Sequence, residues 1–508
     1  MSNGKRVSAP KFDLKDLGFV YAFLCALSLV AINPWGTPRG GIWTDPKVYV
    51  LIVLALVTWT VLLILLIKFV IQSLRRRQTS RICWGVWWWL VGVLAATFLA
   101  VGLFSAKESP VSTITALTPQ DEMGDGWLYW FWLLAFVMGN VLLLRRFPQL
   151  FRAQLYGFLV GGALMALSTV PQVIDWRLDY TDTMGQDARA ANGLRYLTST
   201  IYQLQMPIGL TSHRGHAAFV VAATALLALV SGLRGWLKNR YVWPLYGLSG
   251  IALYLTSTRG AQLAFGAGLL YLVLRFWRVG GGARRTVLIA LLPLVLGGAL
   301  LVSAPLLGLS SLTRPLPPLR LILTQPDDFF SLRTDYWRIA IEGIRQRPLL
   351  GWGYNGFGLA FPYANDFERQ FATYLDQEGG NPVPLERMQG TNHYAFRYFG
   401  PDDFLHRGTI MSNKAHNMFL DMAVSLGLLG LGCYLLLLGT LTIITARGGG
   451  WGLEAVIVVY LVYGLTWFDS AQFTHMAWWV FSAGLALQAL PQRKRTPSLS
   501  RTFMPEAS

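Results

Sequence analysis

Twelve apolar stretches, most about twenty residues long, run through this chain from one end to the other. A helix needs about 20 mostly apolar residues to cross the hydrocarbon core of a bilayer. The stretches lie at 16–35, 48–71, 83–105, 127–144, 152–171, 216–233, 241–257, 260–277, 286–308, 416–446, 451–468 and 473–491. In lipid every backbone N–H and C=O must be bonded internally, so stretches of this length cross as helices. The sequence predicts an all-α integral membrane protein with about 12 transmembrane helices. Composition excludes one water-soluble core: 14% of residues are charged, against about 25% in soluble domains. The 20 tryptophans suit a chain with many membrane–water boundaries. The long 416–446 stretch, with Gly427 and Gly430 inside it, reads as a surface helix leading into a span.

Charge placement sets the orientation. With a cytoplasmic N-terminus, the cytoplasmic segments carry Lys5, Arg6, Lys11 and Lys15, then Arg75, Arg76, Arg77 and Arg81, then Arg145, Arg146 and Arg152. They continue with Arg234, Lys238 and Arg240, then Arg275, Arg278, Arg284 and Arg285, then Arg447, and end with Arg493, Lys494, Arg495 and Arg501. The short outer loops at 36–47 and 106–126 hold only Arg39, Lys47 and Lys107. Cytoplasmic loops gather Lys and Arg in membrane proteins, and this alternation fits twelve spans with both termini cytoplasmic. The net charge of +17 is then a signature of topology, and no nucleic-acid partner is needed to explain it. The first apolar segment has no small-residue cleavage site after it and reads as a retained anchor. Cys25, Cys83 and Cys433 all lie in apolar stretches, which fits small buried hydrophobes better than a disulfide framework.

Two outer segments are long, 172–215 and 309–415. The larger holds eleven cations and eleven acids, unlike the basic cytoplasmic rim. Loops of this length are usually functional or folded in their own right. Phe329, Tyr336, Trp337, Trp352, Tyr354 and Phe357 argue for an ordered domain capping the membrane part. The expected organisation is helices 1–9 over 1–308, an outer domain over 309–415 between spans 9 and 10, helices 10–12 over 416–492, and a basic tail over 493–508.

Polar residues gather at the outer ends of spans. Arg259, in Thr256-Ser257-Thr258-Arg259-Gly260, sits between two apolar segments with almost no loop. An arginine there is costly unless it is paired or faces a polar cavity. A guanidinium can clamp phosphate through two parallel bonds; the ordinary alternative is an Arg reaching to the interface. Gly209-Leu210-Thr211-Ser212-His213-Arg214-Gly215-His216 brings an Arg and two His to the same surface. Lys414-Ala415-His416-Asn417 ends the large loop, and His416 suits a base near neutral pH. Its alternative is a helix-start histidine bonded to backbone. Asp469, between the last two spans, is placed to orient a His, pair an Arg, or cap a helix. Topology brings Arg214, Arg259, His416 and Asp469 to one membrane face. There is no P-loop and no HExxH. The pairs Asp327-Asp328 and Asp402-Asp403 are weak metal signals, and no well-formed metal-ligand cluster stands out. A donor used on this side should therefore arrive already activated.

Arg345-Gln346-Arg347-Pro348-Leu349-Leu350-Gly351-Trp352-Gly353-Tyr354-Asn355-Gly356-Phe357, followed by His416-Asn417-Met418-Phe419-Leu420 and Gly427-Leu428-Leu429-Gly430-Leu431, resembles the O-antigen ligase superfamily. That superfamily also contains O-antigen polymerases and bacterial O-oligosaccharyltransferases. Ser257-Thr258-Arg259-Gly260-Ala261 resembles its Arg motif, and Arg333-Thr334-Asp335-Tyr336-Trp337 resembles the start of its outer domain. The resemblance covers about 200–450. It implies a metal-independent glycosyltransferase of the GT-C type in the bacterial inner membrane, with no cofactor. The implied donor is a glycan on undecaprenyl diphosphate. The implied acceptor is a hydroxyl on the periplasmic face, lipid A–core in ligases, with membrane lipids around both. His416 matches the family's essential loop His and Arg259 an essential Arg. Asp469 resembles an acid between the last spans, and Asn417, His216 and Arg333 stand as supporting residues. The family's upstream Arg is met here by Arg214, with His216 where Asn is common. A small-solute transporter of the bicarbonate type is the rival from another class. Transporters favour paired broken helices and midplane charges, whereas the polar residues here gather at the outer rim.

Overall fold

The computed structural model describes residues 14–33, 39–76, 86–110, 113–118, 124, 126–173, 176–178, 197–199, 207–277, 284–292, 333–364, 381–387, 394–399, 405–410, 414–447 and 452–488. Cys83, most of the ninth expected span, Asp327-Asp328, Asp402-Asp403 and the basic C-terminal tail lie outside the described residues.

The N-terminal half builds α1 (Leu14–Val30), α2 (Arg39–Trp43), α3 (Asp45–Arg76), α4 (Val86–Glu108), α5 (Thr113–Leu117), α6 (Trp127–Arg146) and α7 (Leu150–Val173). A two-stranded antiparallel ribbon follows, β1 (Trp176–Leu178) and β2 (Leu197–Ser199), with Trp176 opposite Ser199. Next come α8 (Arg214–Leu233), α9 (Asn239–Leu255), α10 (Arg259–Phe276) and a helical stretch at 284–292. The long segment before the last three helices contributes α11 (Arg333–Gln346), α12 (Gly356–Ala364) and an antiparallel sheet of β3 (Asn381–Arg387), β4 (Tyr394–Phe399) and β5 (Leu405–Ile410). The chain closes with α13 (Met418–Arg447), α14 (Glu454–Gly464) and α15 (Thr474–Gln488).

Each of the twelve expected spans meets a helix or helical stretch. Among the described residues, six helices are long and apolar enough to cross a membrane: α3, α4, α6, α7, α8 and α13. Helices account for the apolar body. The strands fall inside the two long segments expected outside it, where aromatic and alternating runs such as Tyr394-Ala395-Phe396-Arg397-Tyr398-Phe399 favour extended backbone.

α8 lies at the centre, with nearly every residue buried, His216 among them. The small residues of α7 allow close approach: Gly157 and Gly161 lie against the Ala22 and Ala26 carbonyls of α1, and Gly162 against Thr224 of α8. Spacing small residues four apart is how apolar helices pack without a hydrophobic drive between them. Leu63, Leu66, Ile67 and Val70 of α3 and Leu435, Leu436 and Ile443 of α13 are exposed, a surface that hydrocarbon solvates and water does not. Cys25 and Cys433 are free thiols.

α13 is not one straight rod. Gly427 has φ 68° and ψ −175°, which breaks the helix into two pieces. The expected surface helix leading into a span is thus a kinked helix. At the break, Leu428 N donates to Pro348 O at 2.7 Å, while Trp352 N and Gly353 N donate to Val424 O and Ser425 O, each at 2.9 Å. The 345–357 motif therefore acts as scaffold: its backbone zips into the kink of α13. Gly351, at φ 67°, sits so close to Val424 O and the Gly427 amide that no side chain fits there.

Candidate functional site

Three helix starts converge on the connection between α14 and α15. At the first, His213 caps α8 by accepting from Gly215 N at 3.0 Å, which places Arg214 at the first helical position. Gln472 holds this start in place: it accepts from Ser212 N at 2.8 Å, and its amide donates to Ser212 Oγ at 2.7 Å and Thr44 Oγ1 at 3.0 Å. Tyr463 OH donates to Gly215 O at 2.9 Å. At the second start, Arg259 opens α10 directly after Thr258, and Gly260 packs against Thr466 and Tyr463.

The third start carries His416. Asn417 Oδ1 accepts from Phe419 N and Leu420 N at 3.0 and 3.1 Å, capping α13, while its amide donates to Leu465 O at 3.1 Å. The Asp421 carboxylate accepts from Ala415 N at 2.8 Å. These bonds pin both sides of His416, whose φ is 54°. His416 Nδ1 lies 3.1 Å from Lys414 O. A carbonyl oxygen only accepts, so Nδ1 carries the proton and the neutral ring keeps its lone pair on Nε2.

Ser257, Asn355 and His416 are the non-glycine residues with left-handed φ among the described residues. One lies two positions before Arg259, one inside the 345–357 motif, and one is the candidate base itself. Such backbone costs about 1–3 kcal/mol per residue and tends to cluster at functional sites.

The wall of the site is aromatic. Trp467 and Phe468 stack at 4.8 Å between centroids, and Tyr463 stacks on Trp467 at 5.9 Å. His416 stands edge-on to Trp467 at 5.2 Å and to Phe468 at 5.3 Å. Tyr336, one turn after Arg333 in α11, reaches the His416 ring at 5.6 Å. His213 lies over Trp467 at 4.9 Å. α11 and the helical body thus share the site.

Electrostatics group the cations. Burial holds the Arg333 guanidinium below its ordinary range; Tyr463 opposes this, while the charges of Arg214 and Arg259 add to it. Burial pushes the His416 imidazole down to about 4, against the raising effect of its Lys414 carbonyl bond and with further lowering by Arg333. The structure therefore brings Arg214, Arg259, Arg333 and His416 into one electropositive cluster. The arrangement can hold a polyanion and accept a proton beside it.

Other expected residues fall differently. Asp469 is 5% exposed and accepts from Tyr434 OH at 2.8 Å, Tyr460 OH at 2.5 Å and Thr474 Oγ1 at 3.0 Å, a buried hydroxyl network. His216 is fully buried, 3.5 Å from Ser212 Oγ and packed beside Phe473 at 5.6 Å. Asn417 supports His416 through backbone. Sequence reasoning missed Trp467, Phe468 and Tyr463 as the wall, His213 as a cap and Asp421 as the pin. The adjacency Trp467-Phe468-Asp469 is the signal that was available.

No curated protein gives a significant match to the chain. Residues 244–383 match the family model described as O-antigen ligase, a span that takes in Arg259, Arg333 and the 345–357 motif. That match over residues 244–383 agrees with the superfamily that the motifs of this largely helical chain resemble.

Proposed function

We propose that the protein is a glycosyltransferase that moves a glycan from undecaprenyl diphosphate to an acceptor hydroxyl at the periplasmic face of the bacterial inner membrane. Members of the matched family are membrane glycosyltransferase-like ligases and polymerases. The observation that carries the reading is the gathering of Arg214, Arg259 and Arg333 around an imidazole whose free lone pair is on Nε2. Arg259 and Arg214 hold the diphosphate and stabilise the charge that builds on it as the glycosidic bond breaks. His416 Nε2 takes the proton of the acceptor hydroxyl while that oxygen attacks the anomeric carbon. The C–O bond to the diphosphate breaks in the same displacement, so the anomeric configuration inverts. Undecaprenyl diphosphate leaves with the bonding electron pair.

Burial and Arg333 make His416 a weak base. A diphosphate beside Arg333 offsets the guanidinium charge and raises the basicity of the ring as the donor arrives. On this reading there are twelve spans with both termini cytoplasmic, and residues 309–415 form a periplasmic cap over the sugars. Lipid A–core is the favoured acceptor. A growing lipid-linked glycan would define a polymerase, and Ser or Thr of a protein an oligosaccharyltransferase.

The test incubates purified protein with an undecaprenyl-diphosphate glycan and each acceptor in turn, and identifies the product by mass. His416→Ala and Arg259→Ala should fold yet lose transfer by about 10²-fold or more. Transfer at the wild-type rate by either variant refutes its assigned role. Absence of product with all three acceptors refutes the activity.

A further inference from the structure

We infer that Trp467 is itself a ligand-binding residue, its indole N–H donating, together with Arg333 Nε–H, to oxygens of an anion bound beside His416. Trp467 is 5% exposed, and its Nε1 has no hydrogen-bond acceptor among the described residues. Arg333 Nε is likewise buried without one. Four other indoles do meet acceptors: Trp352 donates to Gly343 O at 2.9 Å, Trp478 to Tyr460 OH at 3.2 Å, Trp479 to Gln154 Oε1 at 2.8 Å and Trp127 to Leu99 O at 2.9 Å. A buried donor without an acceptor costs about 1–3 kcal/mol. Such a cost, borne at the centre of a cluster of cations, points to a partner that is not part of the chain.

The chemistry of the donors specifies that partner. An indole N–H and a guanidinium only donate. A ligand must therefore bring acceptors, and the neighbouring charges of Arg214 and Arg259 require it to be anionic. Phosphate oxygens meet both conditions, and a diphosphate has enough of them to engage several donors at once. The position fits as well. Trp467 lies between His213 at 4.9 Å and His416 at 5.2 Å, and the Cε2 edge of its ring, which adjoins Nε1, faces Gly215 at the start of α8. The dipole of a helix N-terminus favours the same anion. A phenylalanine would satisfy the stacking on Phe468 and Tyr463 but supply no donor.

The identity of the anion as a lipid diphosphate rests on the glycan-transfer reading. The experiment separates the two claims by titrating the detergent-purified full chain calorimetrically with inorganic pyrophosphate and, in a second arm, with undecaprenyl diphosphate. Wild type should bind both, more tightly with the lipid. Trp467→Phe should weaken both by about 10-fold or more, the loss of one bond to a charged partner. Arg333→Lys, which keeps the charge but loses Nε–H, should weaken both as well. In the ligand-free protein Trp467→Phe should melt at or above the wild-type temperature, because an unsatisfied donor has been removed; a merely structural indole would lower it. Equal binding of pyrophosphate by wild type and either folded variant overturns the inference and leaves the transfer reading standing. Binding of neither probe by wild type overturns both. If Trp467→Phe does not fold, the Arg333→Lys titration decides.

Discussion

Replacing Gly427 by alanine tests the scaffold on which the candidate site stands. At φ 68° and ψ −175°, a region held almost only by glycine, an alanine carries a backbone penalty of about 1–3 kcal/mol. Its methyl would also land on Leu349 O and within 2.5 Å of Leu350 N. Both are backbone atoms of the segment zipped into the kink, and neither can swing away as a side-chain tip can. Relief requires that strand to move, which breaks Leu428 N to Pro348 O at 2.7 Å and Trp352 N to Val424 O at 2.9 Å. Each such bond contributes about 0.5–1.5 kcal/mol. Together these effects put the loss near 3 kcal/mol. Thermal unfolding in detergent measures it, with Gly432→Ala as the control. Gly432 lies in the same helix, and an added Cβ there meets nothing within 4 Å. That control should be neutral or stabilise by about 0.5–1 kcal/mol. A Gly427→Ala protein that melts with wild type, or a Gly432→Ala protein that falls equally far, would refute the account of the kink.

Further expectations concern charge and hydrogen bonding. The distance between 6.5 and about 4 for His416 corresponds to about 3 kcal/mol favouring the neutral ring; kcat/KM should therefore stay high down to about pH 4, and kcat should fall at a higher pH because bound diphosphate raises the imidazole. An acid limb of kcat/KM near 6.5 would contradict the buried, Arg333-facing environment. Asp469→Ala should lower stability by about 2–5 kcal/mol by leaving the Tyr434 and Tyr460 hydroxyls without their acceptor, with Asp469→Asn milder, both read by melting temperature. Asn417→Ala should cost about 1 kcal/mol as a lost cap and reduce kcat more than it raises donor KM, since it loosens His416 and leaves the arginines in place.

Apolar length was enough to locate the helices, because hydrocarbon leaves a crossing segment little choice of backbone. Gly427 and Gly430 hinted at the break in α13, but the cause of the break was not legible. It is a backbone contact with residues 348–350, far away in sequence. The small sheets went unforeseen, since aromatic alternation within a long loop is a weak local signal. In the site, Arg259, Arg214 and His416 were legible as costly polar groups at the ends of apolar stretches. Trp467 was not, being one tryptophan of 20 in a chain where that residue usually marks an interface. Asp469 was legible as important, but sequence could not distinguish an acid that faces a cation from one that binds tyrosine hydroxyls. The 345–357 motif carried the resemblance most visibly, and what its backbone does in the fold is shape the kink.

The wall formed by Tyr463, Trp467 and Phe468 has a consequence for biosynthesis. A ribosome that has delivered the chain as far as α13 has already released all three guanidinium groups and the imidazole, but not the surface that aligns them. Gln472, which fastens the start of α8 to that surface, emerges later still. On the proposed reading, the cation cluster is therefore aligned only once α14 and α15 have packed, and a nascent chain would carry the ingredients of an anion trap without being able to spring it on the lipids around it.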